Sequence, residues 1–210
     1  MQALLDVPIH LQDGPERCGE ACAQMVVRHL RGALPSQRAL AAVKGPGAPG
    51  WATSPSQMAA MINAHVVPGP VLYAPHLFAA GPAGFDDAMT YVDAVVGGAG
   101  LPAVALLYGG TPQPPHWVVV RGVTRQGRQA RVHFRDPTPV RPPGIGRHHD
   151  GDGCRVLNAQ KSGQADEWAE LRYWSARKLT PARDIPGGGR TPRLVMVGPV
   201  LAPAQALRRR

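Results

Sequence analysis

QDGPERCGEACAQMVVRHL, residues Gln12 to Leu30, places a cysteine at the expected start of a helix, six residues after a glutamine. From Cys18 onward, Ala21, Cys22, Met25, Val26 and His29 recur at the three- and four-residue spacing of one helical face, while Glu20, Gln24 and Arg28 fall largely off it. Gly32 is the natural stop. Pro15 keeps Gly14 extended and suits a turn or first helical position, so the helix is expected to open between Glu16 and Gly19. Cys18 then sits in the first turn, where free N–H groups and the helix dipole favour a thiolate able to attack a carbonyl. Gly19 leaves room beside the sulfur for a substrate backbone. Gln12, entering from the preceding loop, can donate its side-chain N–H to the oxyanion formed on attack. The competing reading of Cys18 is a small buried residue on an apolar helix face.

A second stretch, HWVVVRGVTRQGRQARVHFRDP from His116 to Pro137, bears on that choice and reads as a β-hairpin. Val118, Val120 and Gly122 share one face of the first strand, and Ala130, Val132 and Phe134 one face of the second, with Arg131, His133 and Arg135 turned outward. A register centred on Gln126 joins the apolar faces and leaves Arg125, Gln126 and Gly127 as a three-residue loop with glycine at its left-handed position. Val118 then faces Phe134, Val120 faces Val132, and His116 faces Asp136. Directly opposed residues have Cβ atoms roughly 5 Å apart, so the carboxylate can hold one imidazole nitrogen and leave the other free. The alternative is a surface histidine beside a turn aspartate.

Cysteine, histidine and aspartate in this order, with a glutamine upstream, resemble the papain-like cysteine peptidases. The nearer resemblance is to their compact bacterial branch, which includes AvrRpt2-type effector proteases and bacteriocin-leader peptidases. It rests on Gln12 with the CGEACAQMV run from Cys18, the HWVVVRGV strand from His116 and the FRDPTP segment from Phe134, and it spans about Val7 to Pro139. The resemblance implies Cys18 as nucleophile, His116 as general base, Asp136 as the residue orienting it and Gln12 as oxyanion donor. Effector-like members carry an aromatic residue after the cysteine; Gly19 follows the leader-peptidase pattern instead, while Cys22 matches the effector type.

With 210 residues, 44% of them hydrophobic, the chain can bury a core as one domain or two small lobes. Its 25 glycines and 23 prolines concentrate between elements and imply long ordered loops. A formal charge of +9 points to an acidic partner or substrate segment, with Arg17 a contributor, but the arginines are dispersed and only Arg208 to Arg210 form a run. No specific nucleic-acid binding is therefore expected. Three cysteines at unrelated spacings do not make a disulfide framework. No segment approaches the roughly 20 apolar residues of a membrane span, and Met1 to His10 lacks the basic region and apolar core of a secretory signal. Cytoplasmic synthesis is expected, with export by a signal-peptide-independent route compatible.

In chain order, Leu4 to Leu11 is a short extended piece delivering Gln12, and Ser36 to Val43 is a second helix before the GPGAPG loop. Ser54 and Pro55 open a helix through Ala64 that buries Met58, Met61 and Ile62. Val71 to Tyr73 reads as a strand, Phe85 to Val96 as a helix with Met89, Val92 and Val96 inward, and Ala103 to Tyr108 as a buried strand. The TPQPP loop presents His116. His148, His149, Asp150, Asp152 and Cys154 lack paired metal-ligand spacing and read as a solvated loop, so neither metal nor cofactor is expected. Glu167 to Leu179 fits a helix or an irregular strand, its tryptophans packing, and Leu194 to Val200 is a last strand that closes the sheet.

The expected architecture is α+β and papain-like: a helical lobe over residues 1–100 packed on an antiparallel β-sheet lobe over 101–200, the active site in the cleft, and a frayed basic tail from 201 to 210. The expected activity is thiol hydrolysis of peptide or amide bonds in a protein or peptide substrate. The same residues can run deamidation or acyl transfer on protein glutamine, and a catalytically silent peptide-binding module is the non-enzymatic alternative.

Overall fold

The computed structural model describes residues 4–14, 16–44, 53–66, 69, 71–79, 82–107, 116–126, 129–137, 167–170, 180–181 and 192–201. Three stretches, AVALL, HWVVV and LVMV, are continuous apolar runs rather than alternating ones, the pattern of strands covered on both faces. They lie in β2 (Ala103–Leu107), β3 (His116–Gln126) and β7 (Pro192–Pro199). With β1 (Tyr73–Phe78), β4 (Gln129–Arg135), β5 (Glu167–Glu170) and β6 (Thr180–Pro181) they form an antiparallel seven-stranded sheet. Its order is β1-β7-β2-β3-β4-β5, with β6 paired to β7. The final strand therefore does not close the sheet at an edge but lies between β1 and β2, which explains why Val195, Met196 and Val197 are all buried.

Side chains alternating along these strands feed two cores. Val104, Leu106, Trp117, Val119, Val195 and Val197 pack with Cys22, Val26, Met58 and Ile62 of α1 (Cys18–Arg31) and α3 (Pro55–Val66). Ala103, Ala105, Val118, Val120 and Met196 pack on the other face with Met89 and Val92 of α4 (Pro82–Val92). Helices thus cover both faces, and β1, from the first hundred residues, is a strand of the same sheet. That strand runs from Tyr73 to Phe78 rather than ending at Tyr73, because its pairing with β7 starts at Tyr73↔Pro199.

The N-terminal two-thirds of α1 is buried all round, from Cys18 to Val27, so the one-face reading of this helix is corrected. Glu20 and Gln24, assigned to the polar side, are buried because each has a partner distant in sequence. Lys44 of α2 (Gln37–Lys44) places Nζ 2.7 Å from Glu20 Oε1, and Gln24 Nε2 donates to Pro35 O at 2.7 Å. The helix ends as expected, with Gly32 at φ 68° donating its N–H to Arg28 O. Ser54 and Gln57 form a reciprocal cap on α3: Gln57 N–H to Ser54 Oγ at 3.3 Å and Ser54 N–H to Gln57 Oε1 at 2.9 Å. The helix expected over Phe85 to Val96 begins earlier, at Pro82, and widens after Val92 into a π-helical stretch, Asp93–Gly98. The Ala99 N–H reaches back five residues to Ala94 O, and the wider turn lets the adjacent Val95 and Val96 both face inward.

The hairpin exists in a different register. Val120 pairs with Phe134 and Gln126 with Gln129, so two residues, not three, connect the strands. A bulge between Val120 and Gly122 accommodates the extra residue, Arg121. Beyond it the pairing is Gly122↔His133 and Val123↔Val132, so Gly122 leaves the face of Val120. A Cβ on Gly122 would lie 2.6 Å from Leu4 Cδ2, so the bulge seats the N-terminal segment. Leu5 N–H donates to Arg121 O and Arg121 Nε–H to Leu5 O, while Arg135 Nε–H donates to Val7 O at 2.8 Å. Arg135, expected to point outward into solvent, is buried beneath that segment.

Candidate active site

The site assembles where three chain segments meet. The Gln12 N–H donates to Pro137 O at 2.8 Å, which anchors the Gln12 loop to the residue following Asp136. His116 opens β3 and Cys18 opens α1. His116 Nε2 lies 2.8 Å from Asp136 Oδ1, and the Cys18 side chain is near enough to the same imidazole to help raise its pKa. With Nε2 committed to the carboxylate, a proton from the thiol would be taken by Nδ1. The expected pairing of His116 with Asp136 therefore holds, although the register behind it does not. Continued from Val119↔Arg135, the observed pairing sets Asp136 against Val118, diagonal to His116. A diagonal neighbour stays on the same face and within reach of a long side chain.

All three groups are shielded from water: Cys18 is 7% exposed, His116 5% and Asp136 0%. Burial alone pushes the imidazole down, but the Asp136 charge and hydrogen bond, joined by the Cys18 contact, raise His116 well above its ordinary value. An imidazolium beside Asp136 and Cys18 is thus favoured near neutral pH. At the start of α1 the Ala21 N–H donates to Arg17 O at 3.0 Å, and Cys18 lies in the first turn, at the positive end of the helix dipole. Gln12 Nε2 donates one hydrogen to Gly14 O at 2.7 Å, which fixes its rotamer; a primary amide carries a second.

Gly19 has a different role from the one its sequence context implied. A Cβ there would lie 2.4, 2.6 and 2.8 Å from Oγ1, Cβ and Cγ2 of Thr53, so the space beside Cys18 is filled by Thr53 rather than kept for a substrate backbone. Thr53 also accepts the Trp117 indole N–H on its carbonyl at 3.0 Å, tying the start of α1 to the residue after His116. Gly19→Ala is expected to destabilise the protein by about 1–3 kcal/mol through overpacking, lowering the melting temperature by several degrees in a chain of this size. A thermal melt by circular dichroism that leaves Gly19→Ala unshifted contradicts the close packing on Thr53.

Cys22, one turn beyond Cys18, is fully buried. Burial, then the charges of Cys18, Asp136 and Glu20, push its thiol well above the ordinary range. Cys22 is therefore expected to stay unmodified in peptide maps taken when iodoacetamide has fully labelled Cys18, and Cys22→Ala to retain activity; loss of activity in a folded Cys22→Ala protein overturns this. The thiol's role in the core was legible from its helical spacing, whereas Thr53, Lys44 and Gln37 carried no local signal. The loop holding His148, His149, Asp150, Asp152 and Cys154 lies outside the described residues, as does the stretch from Leu171 to Leu179. Among the described residues, no helix is long and apolar enough to cross a membrane.

Helices packed on an antiparallel sheet, with a helix-opening cysteine beside a strand-borne histidine, constitute an α+β fold of the papain-like class. The crystal structure of UfSP from C. elegans superposes on it with a TM-score of 0.51 at 15% sequence identity, covering 95% of this chain and 34% of that one. This chain thus spans about a third of the length of that neighbour. No protein-family model matches the sequence. No curated protein matches it either.

Proposed function

We propose that this chain is a single-domain, cysteine-dependent hydrolase of peptide or amide bonds in protein or peptide substrates, of the compact bacterial kind that Gln12 and the CGEACAQMV, HWVVVRGV and FRDPTP stretches resemble. The observation that carries the reading is the buried Asp136–His116 contact at 2.8 Å with the buried Cys18 thiol beside the same ring. The Cys18 proton passes to His116 Nδ1, and the thiolate attacks the carbonyl carbon. Negative charge gathers on the carbonyl oxygen, facing the Cys18 N–H and the second Gln12 amide hydrogen. Collapse expels the amine, which takes the proton from His116, and leaves a thioester on Cys18. His116 then accepts a proton from water, whose oxygen attacks the thioester to release the acid and restore the thiol. Asp136 holds the ring and its positive charge throughout. No step draws on a metal or cofactor.

The test is incubation of the parent protein and Cys18→Ala with a bacterial lysate proteome, read by mass spectrometry. New peptide N-termini that require Cys18 are the expected result. Gains of about one dalton at glutamine, or isopeptide crosslinks, without new N-termini assign deamidation or acyl transfer in place of hydrolysis, since all share the acyl-enzyme step. No change of either kind, with slow alkylation of Cys18 by iodoacetamide at neutral pH, assigns a peptide-binding module and ends the enzymatic reading.

A further inference from the structure

Gln37 opens α2 and is only 2% exposed, yet its amide is turned to the loop that carries Gln12. Its Oε1 accepts the Asp13 N–H at 2.9 Å and its Nε2 donates to Leu11 O at 2.8 Å, so one side chain grips the peptide groups on both sides of Gln12. The same Nε2 reaches Gln24 Oε1 at 3.3 Å, and Gln24 in turn holds Pro35 O at 2.7 Å. On the far side, the Gln12 N–H is held by Pro137 O. Consecutive backbone groups at Leu11, Gln12 and Asp13 are therefore tied to α2 and to the strand end bearing Asp136. A buried amide is costly to desolvate unless its donors and acceptors are met, and here they are met by the Gln12 loop and by Gln24.

We propose that Gln37 is a positioning residue for oxyanion stabilisation: by clamping the peptide groups flanking Gln12, it fixes the Gln12 amide relative to Cys18. This rests on the thiol-hydrolase reading above, with Gln12 as an oxyanion donor. An oxyanion donor works by being in place before charge develops, and a displacement of about 1 Å can cost on the order of a hundredfold in rate. Gln37 touches no reacting atom and acts only through the loop.

Two reagents separate positioning from general damage. Acylation of Cys18 by p-nitrophenyl acetate passes through a tetrahedral oxyanion: sulfur bonds to the acetyl carbon, p-nitrophenolate leaves, and water later hydrolyses the thioester. Alkylation by iodoacetamide is a direct displacement of iodide at a saturated carbon and forms no oxyanion. Gln37→Leu removes both grips, and Gln37→Glu keeps the acceptor for Asp13 N–H but loses the donor to Leu11 O. Either variant is expected to lower the maximal p-nitrophenol burst rate by roughly ten- to a hundredfold with the half-saturating ester concentration unchanged. Iodoacetamide alkylation should stay within about twofold of the parent, which also certifies a folded site. In the Gln12→Ala background, adding Gln37→Leu or Gln37→Glu should change the burst by less than about twofold, because the group being positioned is gone.

The proposal is overturned if the burst is unchanged in both Gln37 variants, if alkylation falls in parallel with it, or if the losses multiply fully in the Gln12→Ala background. Failure of the underlying reading is recognised separately: Cys18→Ala would then release p-nitrophenol as fast as the parent, whatever the Gln37 variants do.

Discussion

Cys18→Ala is expected to reduce turnover of any peptide or ester substrate to the buffer rate, and His116→Ala to come close behind it, each a loss on the order of 10⁵ to 10⁶ if the two act as a unit. In the folded chain the buried thiol lies beside an imidazole whose Nε2 is held 2.8 Å from Asp136 Oδ1. Removing the sulfur removes the atom that forms the bond; removing the ring removes both the proton acceptor and the group that protonates the leaving amine. The double variant should therefore be no slower than either single one, and this non-additivity is the measurement of interest. Alkylation adds a check that needs no substrate: His116→Ala should slow iodoacetamide labelling of Cys18 by roughly tenfold or more at neutral pH, since the ring that stabilises the thiolate is missing. Labelling at the parent rate in His116→Ala would detach the histidine from the chemistry.

How the site could be read before the fold was known follows from the period of the β-strand. Side chains alternate every two residues, so a register wrong by two preserves which residues share a face. Counting from Gln126 sets His116 opposite Asp136; the observed pairing sets Asp136 diagonal to it, and the contact survives. The bulge at Arg121 was not legible, because its cause lies more than a hundred residues away, where Leu4 and Leu5 pack on Gly122 and Arg121. Glu20 and Gln24 were misplaced for the same reason. By helical periodicity they belong on the solvent side, but Lys44 and Pro35 supply buried partners that no local pattern announces. Gly19 shows the limit of reading a small residue as empty space: its missing Cβ is explained by Thr53, which lies more than thirty residues away in the chain, just before α3. Continuous apolar runs told which strands are interior but not their order, and β7, the last of the described strands, is second in the sheet, between β1 and β2.

Asp136→Asn is the substitution that separates charge from shape. Asparagine fits the site of a fully buried carboxylate and can still accept a hydrogen bond from His116 Nε2, so the ring should stay oriented. What disappears is the negative charge that outweighs burial in raising the imidazole well above its ordinary value. A cysteine enzyme depends less on its third member than a serine enzyme, where the comparable change costs about 10⁴, because the thiol is intrinsically more acidic. The expected loss at neutral pH is on the order of ten- to a thousandfold. The pH dependence fixes the sign. In the parent, the imidazolium persists as pH rises until the raised folded value of His116 is passed. In Asp136→Asn the ring loses its proton sooner, and the basic limb of the rate profile should move to lower pH. Stability follows the same linkage: a folded value raised above the unfolded one, about 6.5, stabilises fully below that pH and loses its contribution as pH rises through the folded value. The melting-temperature gap between parent and Asp136→Asn should accordingly be largest below about pH 6.5 and shrink as pH rises through the folded value. A basic limb that stays put in Asp136→Asn, together with full activity, would remove Asp136 from the triad and leave the 2.8 Å contact as a structural hydrogen bond alone.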